Sequence, residues 1–261
     1  MEMNFGVCCL SVIPVRADVS GKTEMVSQLL FGETFSIISF SKGWAKIITD
    51  HDKYEGWIDE KQFTPLSADE HSKILSSSKY YSTDLVHELN QKNVGTLNIV
   101  PGSILYNSTA AEFILGNETF SFDGKMLKED IQPSGEKLIK NAFLFLNSPY
   151  LWGGRTPFGI DCSGFVQIAA RLSGISLPRD TREQAEEGEM INLISEAKPG
   201  DLAFFDNTEG RIIHVGILLD NGQIIHASGK VRIDTIDHQG IFNEETKKYS
   251  HQLRVIKRIL H

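Results

Sequence analysis

The sequence predicts an α+β fold, and three observations carry that expectation. Residues 1–66 hold only short apolar runs broken by turn residues, as in a small all-β domain. Residues 133–261 open with apolar spacings of three and four, then pass into a run of strand-like segments, the order of an α+β domain. Between them, residues 67–132 combine a Ser-, Lys- and Asp-rich stretch with a few further strand candidates.

Gross properties bound the function. A chain of 261 residues has room for two or three domains, and 41% hydrophobic residues support a real core. A net charge of -8, with Lys and Arg scattered, argues against nucleic-acid binding. There are three cysteines, two of them the neighbours Cys8 and Cys9, which is no disulfide framework and fits a reducing compartment. Val7–Ile13 is apolar but short, is preceded by no Lys or Arg and ends at Pro14, so it reads as a strand rather than a signal segment. No stretch approaches the ~18 apolar residues of a membrane span. A cytoplasmic monomer is expected; removal of a signal segment before residue 1 would instead place it in the periplasm or outside the cell.

In chain order, strands are expected at Val7–Val15, Gln28–Leu30, Phe35–Phe40, Trp44–Ile48 and Tyr54–Ile58, with turns at Gly21, Gly32, Ser41-Lys42-Gly43 and Asp50–Lys53. Core packing is the favoured role for Trp44 and Trp57, since aromatics dominate small β cores. Pro14-Val15-Arg16, Leu29-Leu30-Phe31-Gly32-Glu33 and Gly56-Trp57-Ile58 together resemble a bacterial SH3-like barrel. Residues 67–80 read as a linker. Residues 81–128 are either a second, degenerate SH3-like barrel or an extension of the C-terminal domain.

The C-terminal domain begins with a helical face of Leu138, Ile139, Ala142, Phe143, Phe145 and Leu146. An aromatic loop, Tyr150-Leu151-Trp152-Gly153-Gly154, leads to Asp161-Cys162-Ser163-Gly164. Phe165, Val166, Ile168, Ala169 and Leu172 then mark a second helix, with Asp161 or Ser163 as its N-cap. Cys162 is thereby placed in the first turn, where the helix dipole favours the reactive thiolate. Gly164 would allow close approach of a substrate. Residues 182–189 read as a solvated surface helix. Strands follow at Asp201–Phe205, Ile212–Leu219, Gln223–Ala227, Val231–Ile236 and His251–Leu260.

His214 and His226 lie on two of these strands, joined through Asp220-Asn221-Gly222. A two-residue loop would oppose residues 217 and 226 and send the two histidines to opposite faces. A three-residue loop, a type I turn with Gly222 left-handed, opposes residues 216 and 226 and puts them on one face. The three-residue loop is therefore predicted. A lone strand histidine is usually structural, but two on one face beside a helix-start cysteine favour catalysis. Zinc is the competing use of one Cys and two His, yet no HxxxH or CxxC pair is present, so neither a metal nor a cofactor is expected.

Taken in order, Tyr150–Gly154, Asp161–Phe165, Gly200-Asp201-Leu202, His214-Val215-Gly216-Ile217 and His226-Ala227-Ser228 resemble the NlpC/P60 family of papain-like cysteine peptidases. With the SH3-like region, the chain is similar to that family's γ-D-glutamyl-L-diamino acid endopeptidases, the dipeptidyl-peptidase VI group. The resemblance implies a papain-like domain over residues 133–261, with helices packed on an antiparallel sheet. It implies a peptidoglycan-derived peptide as partner, cut between γ-D-Glu and the diamino acid when the L-Ala amine is free. Cys162 would be the nucleophile, His214 its base, and His226 the residue that orients His214. Amides at Cys162 or Ser163, with Tyr150, would meet the oxyanion. Trp152, Asp161 and Ser163 would contact substrate, and Glu24 and Tyr54, or Glu33 in place of Glu24, would read the free amine. A silent peptidoglycan-binding module and an exported hydrolase of intact wall are the alternatives.

Overall fold

Alternating burial builds the N-terminal half. The computed structural model describes residues 4–107 and 112–260, and the chain divides into two units, residues 1–131 and 132–261. In the first, β1 (Phe5–Val7), β2 (Val12–Arg16), β3 (Met25–Leu30), β4 (Thr34–Ser41), β5 (Trp44–Thr49), β6 (Glu55–Asp59) and β7 (Thr64–Leu66) form one antiparallel sheet in the order β3-β2-β6-β5-β4-β1-β7. Their inward residues Ile13, Val15, Leu29, Phe35, Ala45, Ile47 and Ile58 make the core. Trp44 and Trp57 depart from expectation: both are half-buried and lie outside that core cluster.

Residues 67–80 are not a plain linker. They contain α1 (Ala68–Leu75), started by a capping box in which the Glu70 amide donates to Ser67 Oγ and the Ser67 amide donates to Glu70 Oε2. Its His71 is buried and bonds Asp50 Oδ2 at 2.7 Å. The polar composition that suggests a linker is the solvated side of this helix.

Seven short strands follow: β8 (Lys79–Ser82), β9 (His87–Gln91), β10 (Gly95–Ile99), β11 (Ile104–Tyr106), β12 (Glu112–Leu115), β13 (Glu118–Ser121) and β14 (Met126–Lys128). They form two small sheets, β10-β9-β13-β12 and β11-β8-β14. Both belong to the N-terminal unit rather than standing alone. Ile104 N donates to Phe31 O at 2.7 Å, and the Tyr106 hydroxyl donates to Gly32 O at 2.9 Å. Gly32 is left-handed (φ 83°), and a Cβ there would sit 2.0 Å from the Ile104 oxygen, so only glycine fits. Phe31 is fully buried and meets Phe113 and Phe120 edge-on.

The second unit begins with α2 (Gly135–Phe143), capped by Ser134 Oγ, which accepts from Lys137 N. The helix ends earlier than its apolar pattern suggests, and Phe143 and Leu146 are exposed. A two-strand ribbon, β15 (Arg155–Thr156) and β16 (Gly159–Ile160), precedes α3 (Cys162–Arg171) and α4 (Thr181–Gln184). All ten residues of α3 are buried, so it is a central helix, not an amphipathic surface one.

Seven strands complete the unit: β17 (Glu189–Ile191), β18 (Leu202–Asp206), β19 (Ile212–Leu218), β20 (Gln223–Ser228), β21 (Lys230–Ile236), β22 (Gly240–Asn243) and β23 (Lys248–Arg258). The sheet runs β17-β23-β18-β19-β20-β21-β22, and β22 pairs back onto β23. It therefore closes into a six-stranded barrel with β17 appended. The expected antiparallel sheet is therefore present in closed form, with few helices against it, and β22, a strand the sequence pattern did not reveal, completes the ring. Ala203, Phe205, Leu218, Ile224, Ile236, Ile241 and Ile256 form the barrel core.

Because Phe31 joins the two parts of the N-terminal unit, Phe31→Ala is expected to destabilise that unit by about 3–5 kcal/mol, read as a lower urea midpoint against the parent chain.

Candidate active site

The start of α3 is fixed by a buried carboxylate. Asp161 is the N-cap, and its Oδ1 accepts from Gly164 N at 2.7 Å. Its Oδ2 accepts from Gly153 N at 2.8 Å, which ties the Tyr150–Gly154 loop to the helix. Arg179 grips the same carboxylate with two nitrogens, at 3.1 and 2.6 Å, and donates to Ser163 Oγ at 2.7 Å. Asp161 and Arg179 are 4% and 1% exposed, so each buried charge has its counter-charge in place. Gly164 serves this packing: a Cβ there would lie 2.4 Å from the Gly154 carbonyl oxygen. What approaches Gly164 is the protein's own loop, not the substrate predicted from sequence.

Cys162 follows directly. Its Sγ lies 3.9 Å from Thr181 Oγ1 and beside the backbone of Val215, the neighbour of His214. Gly164 N is taken by the cap and Phe165 N by the Asp161 carbonyl. The amides of Cys162 and Ser163 meet no acceptor among the described residues, so they can receive an oxyanion.

The histidines arise from the barrel's alternation. His214, Gly216 and Leu218 share a face of β19; Ile224 and His226 share one of β20; Asp234 and Ile236 share one of β21. Leu218, Ile224 and Ile236 are barrel core, so the polar members extend that same inner face. Gly216 pairs with His226, the register of a three-residue loop. Gly222 is left-handed as expected, but Asn221 is too (φ 58°), so the turn is not a plain type I. A Cβ at Gly216 would lie 2.9 Å from that of His226.

A chain of hydrogen bonds runs along this face. His214 Nε2 lies 2.9 Å from His226 Nδ1, and His226 Nε2 lies 2.9 Å from Asp234 Oδ2. The carboxylate accepts only, so His226 carries its proton on Nε2 and accepts at Nδ1. His214 then donates from Nε2, and its Nδ1 keeps the lone pair a thiol proton needs. Arg232 holds Asp234, with NH2 donating to Oδ1 at 2.9 Å. Burial works against the Asp234 carboxylate's charge, but the bonds to His226 and Arg232 outweigh it and hold its pKa low.

Electrostatics define the resting state. Burial, followed by the Asp161 charge, pushes the Cys162 thiol up to about 11, against smaller pulls from Thr181, the Val215 backbone and Arg179. The helix dipole offers about 0.3–1 kcal/mol, while one tenfold change in acidity is ~1.4 kcal/mol, so burial wins and the expected dipole-stabilised thiolate is not the resting form. Burial, followed by the charges of His251 and His226, holds His214 well below the ordinary histidine value. Thiol and imidazole are therefore both neutral at rest. Tyr150 also feels the site: burial first, then Cys162 and Asp161, push its phenol up to about 12.

The structure thus gathers Tyr150, Asp161, Cys162, Ser163, His214 and His226 in the C-terminal unit. Trp152 stands on the same loop, 58% exposed. Glu24 and Tyr54 lie in the N-terminal unit: Glu24 is exposed, its carbonyl accepting from Ala17 N, and Tyr54 N donates to Thr49 Oγ1. Glu33 is fully buried, with its carboxylate accepting from Leu30 N and facing His51, so it is a core residue rather than a surface one. The segment read as a solvated helix over residues 182–189 begins instead at Thr181, and Gln184 is buried, donating to the carbonyls of Ser163 and Pro178. Sequence reasoning missed Arg179, Thr181, Gln184, Asp234 and His251. Only Asp234 left a signal, two positions from Arg232 and in phase with Ile236.

A thiol in the first turn of a helix with open amides beside it, and a buried histidine pair in the same domain, are the parts of a cysteine peptidase. Residues 147–250 match the NlpC/P60 family and residues 15–63 match the bacterial dipeptidyl-peptidase SH3 domain. The chain is 29% identical over 215 residues to the gamma-D-glutamyl-L-lysine dipeptidyl-peptidase of Bacillus subtilis, covering 77% of this chain and 71% of that protein. It is 27% identical to dipeptidyl-peptidase 6 of Lysinibacillus sphaericus, over 83% of this chain and 86% of that one. In fold it is similar to the crystal structure of an NlpC/P60 family protein from Bacillus cereus, with TM-score 0.82, 19% identity and coverage of 98% and 100%. The protein therefore carries an NlpC/P60 cysteine peptidase domain behind a bacterial dipeptidyl-peptidase SH3 domain.

Two outcomes are expected. Asp234→Asn frees the His226 tautomer and should lower kcat by about 10²-fold, the low end of a general base's worth, with KM little changed in steady-state assays. Because His214 titrates below the usual histidine range, it stays a base into mildly acid solution; the acid limb of kcat/KM should fall below pH 6.5, which a pH–rate profile measures.

Proposed function

We propose that the protein hydrolyses the bond between γ-D-glutamate and the diamino acid in peptidoglycan-derived peptides that carry a free N-terminal L-Ala, as a step in cell-wall peptide recycling. The observation that carries this reading is the similarity to a gamma-D-glutamyl-L-lysine dipeptidyl-peptidase, which extends over 77% of the chain rather than the peptidase domain alone.

The chemistry follows from the site. His214 Nδ1 takes the Cys162 proton as sulfur attacks the γ-carbonyl carbon of D-Glu. The tetrahedral oxyanion is met by the Cys162 and Ser163 amides, with the Tyr150 phenol, still protonated at neutral pH, as a further donor. His214 returns its proton to the leaving amine, and a thioester remains. Water, deprotonated by the same nitrogen, releases the dipeptide acid and the thiol. His226 and Asp234 keep the imidazole's tautomer through both halves. Trp152, exposed on the loop that the Asp161 cap fixes, offers an apolar face to the peptide.

L-Ala-γ-D-Glu-L-Lys, its diaminopimelate counterpart and their N-acetylated twins discriminate the reading. Cleavage of the free-amine peptides, lost on thiol alkylation and reduced at least tenfold by acetylation, is the expected result. Equal cleavage of acetylated and free peptides would refute the free-amine requirement.

A further inference from the structure

The motifs do not pick out His251, yet it completes a cluster. It lies on β23 opposite Ile241, and its ring stacks on His214 with centroids 4.1 Å apart and planes 22° apart. The His226 ring is 5.8 Å away and near-perpendicular. One nitrogen from each of His214, His226 and His251 falls within 4.8 Å of the other two. We propose that these three imidazoles form a site for a zinc-class divalent cation, and that its occupancy switches the peptidase off.

Three features make the cluster a ligand set in chemical terms. Three imidazoles suit zinc and its neighbours in the transition series. His226 already has the outer partner a metal-binding histidine needs, since its Nε2 proton is held by Asp234 and its Nδ1 faces the cluster. His251 Nδ1 engages Ser250 Oγ at 2.9 Å, which leaves Nε2 for an ion. Half-buried His251 also lines a cavity of ≈ 750 Å³ together with Asp206, Tyr249 and Ser250. The stacked rings must splay for their lone pairs to converge, and His251 is the one that borders this cavity.

The off-switch follows from proton placement. An ion on His214 Nε2 displaces the hydrogen bond to His226, and the proton held there moves to Nδ1. No proton is released overall, but the lone pair that would accept the Cys162 proton is gone. This inhibitory role rests on His214 being the base; the metal site itself does not. It differs from a catalytic zinc centre built on Cys162, His214 and His226.

Calorimetric titration of the full-length Cys162→Ala chain with zinc chloride, and its cobalt(II) absorption spectrum, separate the imidazoles from the thiol. One ion per chain is expected, with affinity at least tenfold weaker when His251→Phe is added, a change that keeps the stacked ring and removes its nitrogens. His251→Gln serves as the second variant, and melting curves verify that both fold. No one-to-one binding, or unchanged affinity in both folded variants, would overturn the site. In the thiol-intact protein, zinc should inhibit peptide cleavage and EDTA restore it. Zinc bound without inhibition would overturn the switch while leaving the site; an inactive peptidase would fault the proposed substrate, and the titration would still decide the metal.

Discussion

The register of one hairpin governs this molecule's chemistry. Gly216 faces His226, and only that pairing puts His214 on the same side of the barrel wall. A slip of one residue would send His214 outward and bring apolar Val215 or Ile217 into the row. The three residues Asp220, Asn221 and Gly222 set this register, and two of them accept left-handed backbone to do so. Gly216 supports it from the strand, because the cross-strand site opposite His226 has no space for a Cβ. The barrel's closure then removes the sheet's freedom to shear, since β22 and β23 pair into a ring.

Two buried polar systems fix the Cys162 helix start and the histidine pair. On the helix side, Asp161 and Arg179 neutralise each other and lock the loop, the cap and Ser163 into one unit. On the barrel side, Arg232, Asp234, His226 and His214 form a relay in which each group fixes the next. Burial, more than any charge in either system, keeps the Cys162 thiol and the His214 imidazole neutral. In the proposed reaction this geometry is held in advance and charge would develop only as bonds form, with little rearrangement of the hydrogen bonds.

Much of this was legible in residue order. The Cys162 helix, its Asp161 cap and the hairpin register follow from spacing and turn chemistry, because those rules act over a few residues. The parts that were not legible involve distant or ambiguous partners. Asp161 reads equally as a cap or as a ligand for substrate; the deciding residue, Arg179, lies in a loop where one more arginine is unremarkable. The Ser67–Glu70 capping box hides in a polar stretch. Strand β22 is four residues long and is recognisable only from its partners β21 and β23. The thiol's charge state depends on burial, which residue order does not give, and burial outweighed the helix dipole.

His251 shows the same limit most sharply, and it bears on how such a site evolves constraints. A residue on the last strand meets residues on the second and third strands because β23 pairs with β18, which lies beside β19. Once there, its imidazole stacks on one face of His214, and Phe205 packs beside both rings, 5.8 Å from His214 and 5.9 Å from His251. An apolar aromatic ring would give the same cover with less polar area to desolvate. A half-buried histidine in its place engages Ser250 Oγ through Nδ1 and leaves its second nitrogen near those of two other histidines. Stacking alone explains the ring; it does not explain the nitrogens.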